Sequence, residues 1–125
     1  MTSSAKTILI VEDNELNMRL FNDVLQASGY QTLQTGDGSE AVILAQEHHP
    51  DLILMDMRLP GISGMEATQI IKGRDDLRDI PIVAVTASAL KGDEEKILAG
   101  GCDGFIAKPI SIPTFLATVA QFLGE

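Results

Sequence analysis

The chain has 125 residues, 45% of them hydrophobic, and a formal net charge of -9 from 9 basic and 18 acidic side chains. That size and composition suit one domain with its own core, and the acidic balance argues against a nucleic-acid surface, which is built from clustered Lys and Arg. A single cysteine, Cys102, excludes an internal disulfide and points to a reducing, cytoplasmic setting, while no apolar run reaches the ~18 residues of a membrane span and Met1 to Thr7 carries no signal-peptide core.

Thr7 to Val11 is a β-branched apolar run that ends on Glu12, Asp13 and Asn14, the pattern of a buried strand with carboxylates at its tip. Asn14 can cap the helix that follows, in which Leu16, Leu20, Phe21, Val24 and Leu25 repeat at helical spacing until Gly29 offers a left-handed stop. Gln31 to Thr35 alternates weakly, as an edge strand does. Asp37, Gly38 and Ser39 supply turn and capping chemistry for a second helix with Ala41, Leu44 and Ala45 on a small-residue face, ended by Pro50. His48 and His49 stand at its end. Adjacent helical residues point in different directions and no further ligand stands at a suitable spacing, so the pair reads as exposed rather than as a metal or phosphohistidine site.

Leu52 to Met55 are four consecutive apolar residues between Pro50-Asp51 and Pro60-Gly61, which predicts a strand buried on both faces that delivers Asp56 to its end. Ser63 with Glu66 has the capping-box form and starts a third helix through Ile70 and Ile71. Ile80 to Thr86 reads as the fourth strand, with Pro81 tolerable at its first positions and a hydroxyl at its tip. Asp93 to Ala99 gives a short, weakly patterned helix closed by Gly100-Gly101. Gly104 to Ala107 is the fifth strand and ends in Lys108-Pro109. Ser111 can cap a last helix whose Ile112, Phe115, Leu116, Val119, Phe122 and Leu123 form the clearest stripe in the chain.

Five strands alternating with five helices predict one α/β domain over residues 1–125, an open, doubly wound, five-stranded parallel sheet in the flavodoxin-like order 2-1-3-4-5. A closed eight-stranded barrel needs about twice the length. In a parallel sheet the strand tips share one edge, where open α/β sheets bind ligands, and here that edge gathers Glu12, Asp13, Asp56, Thr86 and Lys108. Three carboxylates repel one another unless a cation compensates, and Mg²⁺ suits one or two carboxylates, a carbonyl, waters and a phosphoryl oxygen. Lys108 as a mobile cation and Thr86 as a neutral donor suit the oxygens of a phosphoryl group. The same parts describe an aspartyl nucleophile: Asp56 attacks phosphorus, charge on the equatorial oxygens is offset by Mg²⁺ and Lys108, and an acyl phosphate results. Each residue alone is an ordinary turn residue; their convergence at four strand tips carries the reading.

Glu12-Asp13, the run from Leu54 to Gly61, Val85-Thr86-Ala87 and Phe105-Ile106-Ala107-Lys108-Pro109 together resemble the receiver domains of two-component response regulators, over nearly the whole chain. Within that family, the stretches 12–18, 86–95 and 100–102 look most like a single-domain regulator of cell division. The resemblance implies that Asp56 accepts phosphate from a histidine kinase or phosphotransferase, the domain catalysing its own phosphoryl transfer and dephosphorylation rather than turning over a separate substrate. It implies a Mg²⁺ pocket, with Mn²⁺ as an alternative ion, formed by Glu12, Asp13, Asp56 and the backbone carbonyl of Arg58, with Thr86 and Lys108 on the phosphoryl group. It further implies a switch through Thr86 and Phe105, a cis Lys108–Pro109 peptide, and a readout face built from the fourth helix, fifth strand and fifth helix, including Lys91 to Glu95. Phe105 stands where the family often has Tyr, so the hydroxyl's hydrogen bond is unavailable and burial of the ring must report the switch.

The same reading expects a cytoplasmic monomer or weak phosphorylation-dependent dimer that acts on a protein partner, not on nucleic acid or a membrane, with no output domain attached. Arg58 and Ser88, two residues beyond Asp56 and Thr86, are candidates for screening the phosphoryl group and tuning its lifetime. Met18, Met55, Met57 and Met65 read as core or site-lining residues. Three rivals remain. A flavin-binding domain needs a phosphate-cradling loop where this chain has Glu12-Asp13-Asn14-Glu15, and an aspartyl phosphatase wants an acid/base carboxylate where this chain has Arg58. The third is a receiver-like interaction module that works without phosphorylation.

Overall fold

The computed structural model describes residues 5–59, 61–87 and 91–124; Pro60 and Ser88 lie outside the described residues, as does the side chain of Lys91. Among the described residues, strands β1 (Thr7–Val11), β2 (Gln31–Thr35), β3 (Leu52–Asp56), β4 (Ile82–Thr86) and β5 (Gly104–Ala107) alternate with helices α1 (Glu15–Ala27), α2 (Gly38–His48), α3 (Gly64–Lys72), α4 (Lys91–Ala99) and α5 (Ile112–Leu123). Every pairing is parallel and the order is β2-β1-β3-β4-β5, the doubly wound arrangement expected from the alternation. β3 and β4 are buried at every position, whereas β2, at the edge, buries only Thr35. Central strands covered on both faces need continuous apolar sequence, and an edge strand does not.

Successive side chains of a strand point to opposite faces, and this splits the core in two. On one face Leu9, Val11, Ile53, Met55, Ile82 and Ala84 pack with Ala41 and Ala45 of α2, Ala67 and Ile71 of α3, and Ile97 of α4. On the other, Ile8, Ile10, Leu52, Leu54, Val83 and Val85 meet Phe21 and Leu25 of α1 and Phe115, Val119 and Leu123 of α5. The rings of Phe21 and Phe115 stack with centroids 5.2 Å apart and join the two helices of that face. Burying each such side chain contributes about 1.5–3 kcal/mol before chain entropy is set against it.

Local chemistry sets the helix ends. Asn14 accepts from the Asn17 amide, Asp37 from Ser39 and Glu40, and Ser63 shares a reciprocal capping box with Glu66. Gly29 takes up the left-handed conformation expected of it, with φ 93°. His48 and His49 are exposed at the end of α2.

Four expectations need correction. β4 begins at Ile82 rather than Ile80: the Ile80 amide donates to the Leu77 carbonyl in the preceding turn, and Pro81 has no N–H for the ladder. α4 begins at Lys91, two residues before the start expected at Asp93. Ser111 occupies the N-cap of α5 but makes no capping hydrogen bond, and Pro113, within the first turn, removes one of the N–H groups such a side chain accepts. Leu16 is 77% exposed and Leu20 37%, so the buried stripe of α1 is narrower than its leucines suggest. Ile112 of α5 is likewise exposed. Among the described residues no helix is long and apolar enough to cross a membrane.

Candidate functional site

The register of the sheet brings four strand tips into line: Val11 lies beside Met55, Asp56 beside Val85, and Thr86 beside Ala107. Glu12 follows β1 directly and is fixed by its amide, which donates to the Thr35 carbonyl at 2.9 Å. Lys108 follows β5 and is fixed in the same way, its amide donating to the Thr86 carbonyl at 2.8 Å. The Lys108–Pro109 peptide is cis. Glu12, Asp56 and Thr86 are buried, while Asp13 faces solvent.

One oxygen from each of Glu12, Asp13 and Asp56 lies within 4.8 Å of the others, a group that could hold a metal ion. The two buried carboxylates are held alike. Glu12 Oε2 accepts from the Asn14 amide at 3.2 Å, and Asp56 Oδ1 accepts from the Arg58 amide at 3.0 Å. Their other oxygens face Lys108, whose Nζ is 3.3 Å from Glu12 Oε1 and 3.6 Å from Asp56 Oδ2. Backbone amides thus aim one oxygen of each acid, and the lysine attracts the other.

Compensation by one lysine is incomplete. Glu12 Oε1 is buried with no hydrogen bond despite the nearby ammonium, which stands off the hydrogen-bonding direction, so the contact is an ion pair only. Burial, helped by the neighbouring Asp56 carboxyl, pushes the Glu12 acid up to about 7 against the opposing pull of the Asn14 amide and Lys108. Three acids against one base, with an orphaned oxygen among them, fit a hard divalent cation.

The approaches to this cluster are open. A groove of about 570 Å³ runs between α1 and β2 past Glu12 and Asp13, with Met18 in its lining. A second, of about 390 Å³, opens beside Thr86 between Met57, Arg58 and Met65 on one side and Asp93, Lys96 and Ile97 of α4 on the other. Phe105, two residues before the end of β5, is half-buried and packs on the core face that includes Ile97.

The structure therefore collects Glu12, Asp13, Asp56 and Lys108 directly, with Thr86 at the adjoining tip. The sequence signalled these side chains but not the Asn14 and Arg58 amides, because backbone donors leave no trace in residue type. Gly36 is a further unsignalled part: a Cβ there would sit 3.4 Å from Asp13 Cα and from the Glu12 carbonyl oxygen, so the β2–α2 turn backs the exposed acid closely.

Residues 8–120 match the response regulator receiver domain family. The chain belongs to that family. The chain is 58% identical over 120 residues to the polar-differentiation response regulator DivK of Brucella ovis, an alignment covering 96% of this chain and 98% of that protein, and equally identical to DivK of Brucella anthropi. Among solved structures it is similar to the receiver domain of the sensor histidine kinase PA1611 from Pseudomonas aeruginosa, which has a magnesium ion coordinated in its active-site cleft. The TM-score is 0.90 at 36% identity, covering 98% of this chain and 100% of that one. The receiver domain of a signal transduction histidine kinase from Syntrophus aciditrophicus aligns with a TM-score of 0.89 at 34% identity, covering 96% of this chain and 91% of that one. Membership of the receiver domains sets aside the flavin-binding and aspartyl-phosphatase readings and makes this a two-component signalling protein.

Proposed function

We propose that this receiver domain is a Mg²⁺-dependent phosphoacceptor of the DivK type, which takes a phosphoryl group on Asp56 from a histidine kinase or phosphotransferase. It then signals by phosphorylation-dependent protein contact in cell-division control. The observation that carries the reading is the setting of Asp56: a buried carboxylate with one oxygen held by the Arg58 amide and the other 3.6 Å from Lys108 Nζ, inside a cluster of three acids. The Brucella relatives are polar-differentiation response regulators, a name that fits a role in cell-division control, and the free, buried Cys102 suits a reducing cytoplasm.

Glu12, Asp13, Asp56 and the Arg58 carbonyl would hold the ion, which when bound offsets the charge of the acids and of the incoming phosphoryl group. The Arg58 amide fixes Oδ1 of Asp56 and leaves Oδ2 as the nucleophile. As the new O–P bond forms, the N–P bond to the donor histidine breaks and its electron pair returns to the imidazole. Lys108 shifts from its two carboxylates toward a phosphoryl oxygen, and the Thr86 hydroxyl is drawn to another. Movement of Thr86 vacates space beside the half-buried Phe105 and shifts the ring inward, which biases the face of α4, β5 and α5 toward its partner. Water attack on the acyl phosphate, screened by Arg58, ends the signal.

With a small acyl phosphate and Mg²⁺, the wild type gains one phosphoryl mass and Asp56→Asn gains none. Equal labelling of the two would overturn the assignment, and absence of labelling in both would leave a receiver-like module that binds without phosphorylation.

A further inference from the structure

The helices that enter beside the acceptor loop, α2 and α3, each begin with a buried glycine directly after the capping residue. At Gly64 a Cβ would overlap the Asp56 carbonyl oxygen and lie 2.8 Å from Met57 Cα and 2.9 Å from the Asp56 carbonyl carbon. All three atoms are backbone, so nothing there can rotate aside. At Gly38 a Cβ would lie 2.9 Å from Ile62 Cγ1 and 3.2 Å from the Ile62 carbonyl oxygen. One glycine therefore touches the start of the β3–α3 connection and the other touches its end.

The remaining ties of this connection run through the same atoms. The Met57 amide donates to the Val85 carbonyl at 3.1 Å, the Gly64 amide to the Met57 carbonyl at 3.3 Å, and the Arg58 amide to Asp56 Oδ1 at 3.0 Å. A displaced Asp56–Met57 peptide would carry the carboxylate and the Arg58 carbonyl with it. Close-packed interiors pass such a shift on rather than absorb it.

We infer that Gly64 and Gly38 are positioning residues of the acceptor site. Lacking side chains, they let the starts of α3 and α2 clamp the β3–α3 connection from both ends, which sets the spacing between the Asp56 carboxylate and the Arg58 carbonyl. This rests on the phosphoacceptor reading above, which the Asp56→Asn comparison tests separately.

The test compares wild type, Gly64→Ala, Gly38→Ala and Ser63→Ala. Mg²⁺ affinity is read from backbone amide NMR shifts, phosphorylation from the acyl phosphate assay, and folding from thermal unfolding. Gly64→Ala is expected to weaken Mg²⁺ binding and to slow phosphorylation by up to about 100-fold, the order of loss that a misplacement near 1 Å can bring. Ser63→Ala removes the capping box at the same helix start without adding an atom near Asp56, so it lowers the Tm and leaves the Mg²⁺ Kd unchanged. A folded Gly64→Ala with wild-type Mg²⁺ affinity and rate overturns the inference, as does a Ser63→Ala that loses both equally. If Gly64→Ala does not fold, Gly38→Ala decides: a raised Mg²⁺ Kd that Ile62→Ala restores supports the clamp, and an unchanged Kd refutes it. Because the Mg²⁺ shifts do not depend on phosphorylation, a wild type that fails to phosphorylate refutes the acceptor reading alone.

Discussion

Replacing Lys108 by Met separates the two things its charge does. Its Nζ stands 3.3 Å from Glu12 Oε1 and 3.6 Å from Asp56 Oδ2, and those side chains are only 1% and 6% exposed. Two unit charges about 4 Å apart interact by about 4 kcal/mol at the effective dielectric of a protein surface and by about 1 kcal/mol in bulk water. With the lysine 23% exposed, the net attraction lies between these limits, and desolvation takes back part of it. Removing the cation changes the cluster from three acids and one base to three acids alone. A divalent ion entering it no longer meets a resident positive charge, so Mg²⁺ affinity should rise, by about tenfold for each 1.4 kcal/mol of repulsion relieved. Phosphorylation should instead slow by about 10²–10³, because the group that offsets charge on the phosphoryl oxygens is lost. Amide NMR shifts at pH 8 give the first quantity and the rate of mass gain with an acyl phosphate gives the second. A folded Lys108→Met that binds Mg²⁺ more weakly, or phosphorylates at the wild-type rate, refutes this account of the site.

Without Mg²⁺, Glu12 titrates near pH 7, well above its unfolded value of 4.5. Folding therefore favours its protonated form, and the stability this contributes is present below about pH 4.5 and lost as pH rises toward 7, by no more than about 3 kcal/mol. Chemical denaturation from pH 5 to 8 should show that decline and Glu12→Gln should flatten it; an equal slope in both would exclude Glu12 as its source. Phe21→Ala removes one of the two stacked rings between α1 and α5 and should cost about 3–5 kcal/mol with Mg²⁺ affinity unchanged, read from urea unfolding and a metal titration. Asp103 Oδ2 accepts from the Ile82 amide and from Lys72 Nζ, both at 2.8 Å. Asp103→Ala leaves the first amide of β4 without its acceptor, and should lower the unfolding free energy read from urea titration by about 1–3 kcal/mol; an unchanged free energy would show that water replaces the carboxylate without loss.

How far the fold is legible in sequence differs between its parts for physical reasons. β3 stands out because a parallel strand covered on both faces reads as a near-continuous apolar run, here Leu52 to Met55, too short for a buried helix and bounded by turn residues. Ile80 misleads for the same reason: it is buried too, but in a turn below α3, and an isolated apolar residue does not say which kind of cover it has. The leucines of α1 show the limit of periodicity. Phe21 and Leu25 lie against the sheet and α5, while Leu16 and Leu20, at equally regular spacing, stay exposed because cover on a helix flank depends on where other elements lie.

The site is more legible than its support, and topology explains both. Once the strands are parallel, Glu12, Asp13, Asp56, Thr86 and Lys108 must arrive at one edge, so residue type and position along the strand suffice to assemble them. What aims them is backbone: the Asn14 amide on Glu12, the Arg58 amide on Asp56, and the bare Cα atoms of Gly64 and Gly38 against the acceptor loop. In sequence those glycines read as helix-start punctuation, a role many residues fill. Only the sub-3 Å approach of their missing side chains to Asp56, Met57 and Ile62 distinguishes a glycine that is required from one that is tolerated. The chemistry of the proposed acceptor is thus written in side chains and its precision in their absence, which is why substitutions at positions 64 and 38, which carry no charge of their own, test the site as sharply as substitutions of its acids.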